Sequence, residues 1–406
     1  MLSIIIHRGT HQIGGNCVEI KDKNTQLLFD YGLPLDDDTS PDDAILDIKG
    51  LYKNEPPQID AVFISHYHPD HYGLLKFINP EIPIYTGKIT KKIIQNVSKI
   101  KGSEDYSGLN ILSIDKGVQI GDFTIIPHKV DHSAAGSLAF EIIHNGKKIL
   151  YTGDLRFHGR TSYLSNNLSQ IKDVDYLIME GSTLGRPDQK LKTEEDVFDE
   201  MTNAFTTDKL CFVNFSSQNL DRFISVYKAC LKTKKSLVID PYTCFVLENF
   251  KDISKNIPQW DWNSIRVYFG GGKHTKNLAD SGKLFTYKNK KISAEEILSN
   301  PGKYVVKTAK AICVKILSLY DVTKIEYIYS MWSGYLDNPS YYLDILKHQI
   351  KHIHTSGHAY VKDLQDFVQR IKPKVIIPIH TEMPQKYSQL YDAEIKILKD
   401  GEILNL

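Results

Sequence analysis

The stretch FISHYHPDHYG at residues 63–73 decides the fold, because it crowds metal-binding side chains directly behind an apolar run. His66 and His68 alternate, so on an extended segment their side chains point the same way. Asp70 and His71 follow a proline, where the chain must turn. Imidazole nitrogens and carboxylates are the ligands that a divalent ion such as zinc prefers. The spacing therefore predicts a metal site at the end of a buried strand, followed by an apolar helix over YGLLKFI.

Other short apolar runs along the chain also end in a potential ligand or acid. Runs of this length, rich in Ile, Val, Leu and aromatic residues, predict buried strands. They end at Asp30, Asp154, Glu180 and His380, and His132 stands in VDHSAAGS. Loops at strand ends are free to converge on one site. Six or seven ligands exceed the need of one tetrahedral ion, which favours two ions that share a bridging carboxylate.

Length and composition set the class of protein. The chain has 406 residues and a formal net charge of +1, so a nucleic-acid partner is neither implied nor excluded. Its five cysteines are spread without a CxxC pair, which is typical of a reducing compartment. No segment has the length and apolarity of a signal peptide or membrane span, so we expect a cytoplasmic protein without membrane contact.

The middle of the chain, residues 186–352, has a different pattern. TEEDVFDEMTNAF, NLDRFISVYKACLK and TAKAICVKILSLY carry apolar residues at helical spacing, and CFVNFS and KSLVIDPY resemble strands between helices. Such alternation predicts a parallel sheet. We therefore predict a domain at 186–352, inserted into a discontinuous domain formed by 1–185 and 353–406.

Together these residues resemble the ordered motifs of the metallo-β-lactamase superfamily along nearly the whole chain. The resemblance implies an αββα sandwich within an α/β fold class, and a di-metal site. In that site one ion is held by His66, His68 and His132, the other by Asp70, His71 and His380, with Asp154 bridging and Asp30 anchoring the ligand loop.

Three later motifs resemble the β-CASP branch, whose members cut nucleic acids and carry an inserted α/β domain. They are YLIMEGSTLG with Glu180, HTSGHA with His358, and IPIHTE with His380. A histidine in the last motif is typical of RNA-processing members, whereas DNA-repair members usually carry valine. YTGDLRFHGR and HTSGHA look most like ribonuclease J and its short relatives, and because the chain ends at Leu406 we expect no additional C-terminal domain.

The resemblance also implies roles in phosphodiester hydrolysis. A hydroxide activated by two metal ions would attack phosphorus. His358 would be the general acid, and Glu180 would accept a hydrogen bond from the other ring nitrogen of His358. The predicted catalytic residues are therefore Asp70, Glu180 and His358. His354 and Ser356 would contact the scissile phosphate. Two further hydroxyls, those of Ser216 and Ser217, either contact a phosphate at a helix N-terminus or serve as the N-cap of that helix.

The resemblance therefore implies a metal-dependent ribonuclease that acts on single-stranded RNA, and the ligand types favour two Zn²⁺ ions, with Mn²⁺ as the alternative metal. Endonuclease and 5′–3′ exonuclease action stay open, as do the monomeric and dimeric states. The alternative functions are a DNA nuclease of the same fold, a small-molecule hydrolase, and a catalytically inactive RNA-binding subunit.

Overall fold

The computed structural model describes residues 2–36, 39–102, 104–114, 116–186, 191–337 and 344–406. The chain forms two compact units. The first consists of Met1–Gln95, Glu104–Leu191 and Gly357–Leu406, and the second of Asn96–Ser103 and Lys192–Ser356. The main segment of the second unit begins and ends a few residues later than the range 186–352 that the sequence predicts for the insertion.

The strands, in chain order, are β1 Ser3–Arg8, β2 Cys17–Lys21, β3 Gln26–Phe29, β4 Ala61–Ile64, β5 Ile84–Thr86, β6 Asn110–Ile111, β7 Val118–Ile120, β8 Phe123–Lys129, β9 Leu138–His144, β10 Lys147–Tyr151, β11 Tyr176–Glu180, β12 Leu210–Asn214, β13 Ser236–Ile239, β14 Ile265–Tyr268, β15 Lys291–Ile292, β16 Tyr304–Lys307, β17 Ile325–Tyr329, β18 Ile350–His352, β19 Val375–Ile379, β20 Glu394–Ile395 and β21 Ile403–Asn405.

The α-helices are α1 Pro69–Tyr72, α2 Lys88–Lys101, α3 Ser162–Leu168, α4 Glu194–Phe205, α5 Leu220–Lys232, α6 Pro241–Glu248, α7 Lys273–Asp280, α8 Ala294–Ser299, α9 Lys310–Leu317, α10 Val361–Ile371 and α11 Tyr387–Leu390. Short 3₁₀ helices lie at Leu75–Phe77, Lys283–Lys290, Pro301–Lys303, Val322–Lys324, Ser333–Asp337, Asp344–Gln349 and Pro384–Lys386. No helix in the described part of the chain is both long and apolar enough to cross a membrane.

Two mixed sheets form the core of the first unit, with strand orders β21-β1-β2-β3-β4-β5-β6 and β20-β19-β11-β10-β9-β8-β7. Their inner faces meet through aromatic rings. Phe63 of the first sheet lies 5.8 Å from Phe140 of the second, and Phe29 lies 6.1 Å from Tyr151, measured between ring centroids. Such rings bury large apolar areas, which stabilises the face-to-face packing.

The amphipathic helix α10 covers the other face of the second sheet. Its buried residues Leu364, Phe367, Val368 and Ile371 recur at the spacing of one helix face and join the core cluster that contains Leu177 of β11. The predicted αββα sandwich is confirmed.

The strand directions bring the predicted ligands to one edge of each sheet. β3 runs parallel to β4, and β11 runs parallel to both β10 and β19. Parallel neighbouring strands place their carboxyl ends at the same edge of a sheet. Asp30, which follows β3, therefore lies at the same edge as the ligand segment, residues 66–71, which follows β4. Asp154, Glu180 and His380 likewise stand at or just after the ends of β10, β11 and β19. The apolar runs predicted to be these strands are confirmed.

The second unit contains an all-parallel sheet in the order β15-β14-β13-β16-β12-β17-β18. The alternating pattern of the middle segment predicts this arrangement, and the prediction is confirmed. Thr193 and Asp196 form a capping box at the start of α4. Asn219 is the N-cap of α5, accepting from the backbone N–H of Arg222 at 3.0 Å.

Two local predictions are wrong. YGLLKFI does not form one apolar helix: the short helix α1 starts at Pro69, within the ligand segment, and gives way at Gly73 to a single 3₁₀ turn. Proline suits the first position of a helix, which explains the early start. The serines before α5 are not its N-cap, because the side chain of Asn219, which follows them, satisfies the first turn.

Candidate metal centre

The first group of ligand atoms surrounds His68. Nδ1 of His68 lies 3.1 Å from Nε2 of His66 and 3.2 Å from Nε2 of His132. Oδ2 of Asp154 lies 3.7 Å and 3.8 Å from the same two Nε2 atoms. Each residue offers one atom within 4.8 Å of the others, a separation that a single ion at their centre spans.

A second group shares Asp154 with the first. It consists of Asp70, His71, Asp154 and His380, again with ligand atoms within 4.8 Å of one another. All four side chains are buried. Nε2 of His71 lies 3.1 Å from Oδ2 of Asp154, and Nε2 of His380 lies 3.9 Å from Oδ2 of Asp70. The structure thus brings together all seven residues that the sequence predicts as ligands, in two groups joined by one carboxylate.

Hydrogen-bond acceptors at the Nδ1 atoms orient two of the histidine rings. Nδ1 of His71 lies 2.8 Å from Oδ2 of Asp30, and Nδ1 of His132 lies 2.6 Å from the carbonyl oxygen of Gly357. A carboxylate and a carbonyl accept only, so these Nδ1 atoms donate, and Nε2 is the nitrogen that each ring turns toward the ligand group. Metal-binding histidines are held in this way in other proteins.

The donor set fits divalent ions. Nε2 of His380 and Oδ1 of Asp154 are buried and have no hydrogen-bond partner among the described residues. Burial, then neighbouring histidines, holds the pKa of His66 well below its usual value, and burial lowers the pKa of His68 to about 4. Although burial opposes its ionisation, His380 and His71 hold the pKa of Asp154 well below its usual range. Burial opposes protonation of His71, but the charges of Asp154 and Asp30 outweigh it and raise its pKa well above the usual value. The neutral imidazoles of His66 and His68 beside an ionised Asp154 are in the protonation states that bind metal.

Asp30 is a positioning group in this geometry. Its backbone has a φ of 57°, a left-handed conformation that few non-glycine residues adopt. Its carboxylate accepts from the Ser65 N–H at 2.7 Å, the Ser65 hydroxyl at 2.8 Å and the Tyr151 hydroxyl at 2.7 Å, besides His71. Asp30 therefore fixes the start of the ligand segment and one ligand ring.

His358 and Glu180 form a pair beside the ligands. Nδ1 of His358 lies 3.0 Å from Oε2 and 3.1 Å from Oε1 of Glu180, and 3.8 Å from Oδ2 of Asp154. Burial opposes protonation of His358, but the charges of Glu180 and Asp154 outweigh it and raise its pKa above the usual value. The ring of His358 lies 5.1 Å from that of His132, between centroids. The pair is thus built to carry a proton next to the ligand groups.

The predicted substrate residues lie in the second unit. Nδ1 of His354 lies 3.1 Å from Nη1 of Arg222, and Ser356 is buried. Ser217 shares a hydrogen bond of 2.9 Å with the hydroxyl of Thr243, whereas Ser216 is exposed and accepts from the N–H of Gln218. Phosphate contact by these four residues stays a prediction.

Three supporting residues escape the sequence patterns. Ser182 donates to Oε2 of Glu180 at 2.7 Å and lies 3.1 Å from Nδ1 of His358. Oδ1 of Asn16 lies 3.0 Å from Nδ1 of His380. Ser182 stands two residues after Glu180 in the quoted motif, which is a usable signal. Ser65 likewise stands directly before His66 in the stretch at residues 63–73, whereas nothing in the sequence around Asn16 indicates a role in the site.

Comparison with known proteins agrees with this architecture. A beta-lactamase superfamily domain matches residues 38–201, and a Zn-dependent metallo-hydrolase RNA specificity domain matches residues 345–390. A crystal structure of a protein of unknown function from Enterococcus faecalis V583 has a TM-score of 0.83 over 100% of both chains, at 22% identity, which shows the shared fold.

The chain is also similar to individual proteins that are named as ribonucleases. The Probable RNase MJ4 of Methanocaldococcus jannaschii is 29% identical over 213 residues, which cover 47% of this chain and 48% of that protein. Ribonuclease J 2 of Streptococcus pyogenes is 20% identical over 100% of this chain and 76% of that protein. The chain spans about half the length of two relatives from M. jannaschii, 48% and 44%.

Fold and site define a protein of the metallo-β-lactamase superfamily, with the ligand groups of a metallo-hydrolase. Within it, the chain is similar to ribonuclease J-type proteins over nearly its whole length, and an RNA specificity domain matches its C-terminal part.

Proposed function

We propose that the protein is a metal-dependent ribonuclease that hydrolyses phosphodiester bonds of single-stranded RNA. The observation that carries the proposal is that two histidine–aspartate groups share Asp154 and adjoin the His358–Glu180 pair. The match of the RNA specificity domain to residues 345–390, which include His354, Ser356, His358 and His380, supports RNA as the polymer.

Two Zn²⁺ ions fit the nitrogen and oxygen ligands, with Mn²⁺ as the alternative metal. His66, His68 and His132 would hold one ion, Asp70, His71 and His380 the other, and Asp154 would bridge them. When bound, the ions would activate a water for attack on phosphorus and stabilise the negative charge of the transition state.

The side chains of the protein supply the remaining steps. His358 donates a proton to the leaving oxygen, while Glu180 holds its Nδ1–H and stabilises the charged ring before transfer. Ser182 donates to Glu180 and so fixes the carboxylate in place. In this proposal His354 and Ser356 hold the scissile phosphate, and Ser216 and Ser217 contact the strand further along.

The experiment follows a 5′-labelled single-stranded RNA and a matched DNA strand, each incubated with zinc-loaded protein. His66→Ala serves as the inactive control and His128→Ala as the matched control, because His128 pairs with Glu141 outside the ligand groups. The proposal expects cleavage of RNA that H66A abolishes and H128A retains. Internal fragments indicate endonuclease action, and release of the labelled nucleotide alone indicates 5′–3′ exonuclease action.

Intact RNA after incubation with fully metal-loaded protein would contradict the proposal and favour an inactive RNA-binding subunit. Cleavage of DNA in preference to RNA would favour a DNA nuclease. A cytoplasmic location and the oligomeric state stay predictions.

A further inference from the structure

Arg222 is a fully buried arginine, and the nitrogen atoms of its side chain all donate hydrogen bonds to residues of the second unit. It lies in the first turn of α5, and its side chain is 0% exposed. Nη2 donates to Oε1 of Glu194 at 3.0 Å, and Nε donates to Oε2 at 3.4 Å, so the two side chains form a bidentate pair. The buried carboxylate offsets the charge of the buried guanidinium and fixes its plane.

The other edge of the same guanidinium is turned toward the HTSGHA segment. Nη1 donates to the carbonyl oxygen of Ser330 at 2.7 Å and to its hydroxyl at 2.6 Å. Nη2 donates to the carbonyl oxygen of Thr355 at 3.2 Å. The Ser330 hydroxyl donates in turn to the carbonyl oxygen of Ile353. The backbone on both sides of His354 is therefore held to one rigid group.

The contact with His354 itself determines which ring nitrogen can carry a proton. Nη1 of Arg222 lies 3.1 Å from Nδ1 of His354. Nη1 has two N–H groups and three acceptors, so one N–H is shared between Ser330 and Nδ1 of His354. Because a guanidinium has only donors, the contact is favourable when Nδ1 accepts with its lone pair. A neutral imidazole that accepts at Nδ1 carries its hydrogen on Nε2.

We propose that Arg222 is a positioning residue that keeps His354 neutral in the Nε2–H form, so that His354 presents a fixed hydrogen-bond donor to a phosphate oxygen of RNA. This inference rests on the proposed function for its substrate, but the state of the ring is a property of the protein alone. A neutral donor can hold a phosphate without passing it a proton, which leaves proton transfer to His358.

The charged and titratable groups that face His354 are Arg222, Glu194 and His352, whose ring stacks on it at 5.7 Å between centroids. Burial, and then the charges of Arg222 and His352, lower the pKa of His354 well below its usual value and outweigh the backbone hydrogen bond with Ser330 and the charge of Glu194, which raise it. Protonation of the ring would place a second positive charge against the guanidinium, so the neutral form persists throughout the neutral pH range.

The test is a long-range ¹H–¹⁵N correlation spectrum of the zinc-loaded full chain, labelled with ¹⁵N-histidine and measured without RNA. His354→Gln identifies the His354 signals. We expect an unprotonated Nδ1 and a protonated Nε2 that do not change from mildly acidic to mildly alkaline pH. A proton on Nδ1, or on both nitrogens at neutral pH, overturns the proposal.

Two variants test whether Arg222 is the cause. E194Q/R222Q replaces the ion pair by two amides and leaves no unpaired buried charge, and it should mix the two neutral forms of His354. R222K keeps a cation and a donor, and remains informative if the double variant does not fold. R266Q is the matched control, because Arg266 donates to the backbone carbonyls of Asn263 and Ile265 and its loss should leave the His354 signals unchanged. An unaltered ring state in folded E194Q/R222Q overturns the proposal.

A kinetic arm measures the consequence for RNA. E194Q/R222Q should raise KM for RNA about tenfold, the equivalent of one charge-assisted hydrogen bond, with a smaller change in kcat. In a His354→Ala background the same double variant should change KM less than about twofold, because coupled residues are not additive. Equal losses in both backgrounds would mean a purely structural role. If wild-type protein does not cleave RNA, only this arm fails, and the spectrum still decides the Arg222–His354 relationship.

Discussion

Oδ2 of Asp30 accepts a hydrogen bond of 2.8 Å from Nδ1 of His71, and the opposite nitrogen of the same ring lies 3.1 Å from Oδ2 of Asp154. Asp30 thereby connects the end of β3 to a candidate metal ligand. The left-handed backbone of Asp30 aims its carboxylate at that ring. Removing this acceptor frees the ring to rotate and to change its protonated nitrogen.

Asp30→Asn should therefore weaken metal binding about 10–100-fold, as loss of such supporting groups does elsewhere. The measurement is competition for zinc with a chelator of known affinity. Asp363→Asn is the matched control, because Asp363 lies 3.4 Å from Nδ1 of His158, away from the ligand groups. Equal zinc affinity of D30N and D363N would show that Asp30 has no such role.

The shared carboxylate predicts a difference in metal stoichiometry between two alanine variants. His68 contributes to one ligand group, whereas Asp154 belongs to both. His68→Ala should retain about one tightly bound zinc per chain and Asp154→Ala close to none, because only His68→Ala leaves one group with all four of its ligands. Elemental analysis after dialysis gives the ratio. Retention of the same number of ions by both variants would contradict a bridging role for Asp154.

The His358–Glu180 pair predicts loss of rate without loss of metal. His358→Gln should lower kcat for RNA cleavage by about 10²–10⁴-fold, the usual contribution of a general acid. Glu180→Gln should lower it less, because the acid remains but its Nδ1–H loses the negative charge of its partner. Zinc content is measured on the same samples and should stay at the wild-type value. A parallel drop in zinc and rate would place His358 among the ligands instead.

The ion pair of the partly buried Asp240 with the buried Lys307 in the second unit predicts a pH-dependent stability. Their charged atoms lie 3.6 Å apart, and Asp240 also caps α6 through the N–H of Thr243. Burial opposes ionisation of Asp240, but Lys307 and Thr243 outweigh it and lower its pKa below the usual value. A carboxylate whose pKa is lower in the folded state stabilises the protein above its unfolded pKa, and this contribution disappears as the pH falls through the folded pKa.

Asp240→Asn keeps a good N-cap residue and removes only the charge. It should lower the free energy of unfolding by about 2 kcal/mol at neutral pH. Urea unfolding at a series of pH values should show the difference from wild type shrinking below about pH 4. A difference that is constant with pH would mean that the ion pair does not stabilise the folded chain.

The grouping of the candidate ligands was predictable from the sequence because ligand type and spacing are local properties. HYHPDH carries four of them within six residues, and apolar runs mark the strands that deliver Asp154 and His380. The supporting residues were not predictable, since Asn16 lies 364 positions from His380 and reaches it only through the fold. Arg222 and His354 likewise lie 132 positions apart in the sequence and come into contact only through the fold.

The wrong predictions have local causes. YGLLKFI has the apolar content of a helix, but the pattern does not show that Pro69 starts the helix earlier or that it ends at Gly73. Ser216, Ser217 and Asn219 are all good N-cap residues, and the choice among them depends on backbone geometry that the sequence leaves open.

The most direct test of the central claim is a zinc titration of metal-free protein with 5′-labelled single-stranded RNA present. The account predicts no cleavage by the metal-free chain, full activity when about two ions are bound per chain, and no activity of Asp154→Ala at any zinc concentration. Intact RNA at full zinc occupancy would contradict the account, as would undiminished cleavage by the metal-free chain.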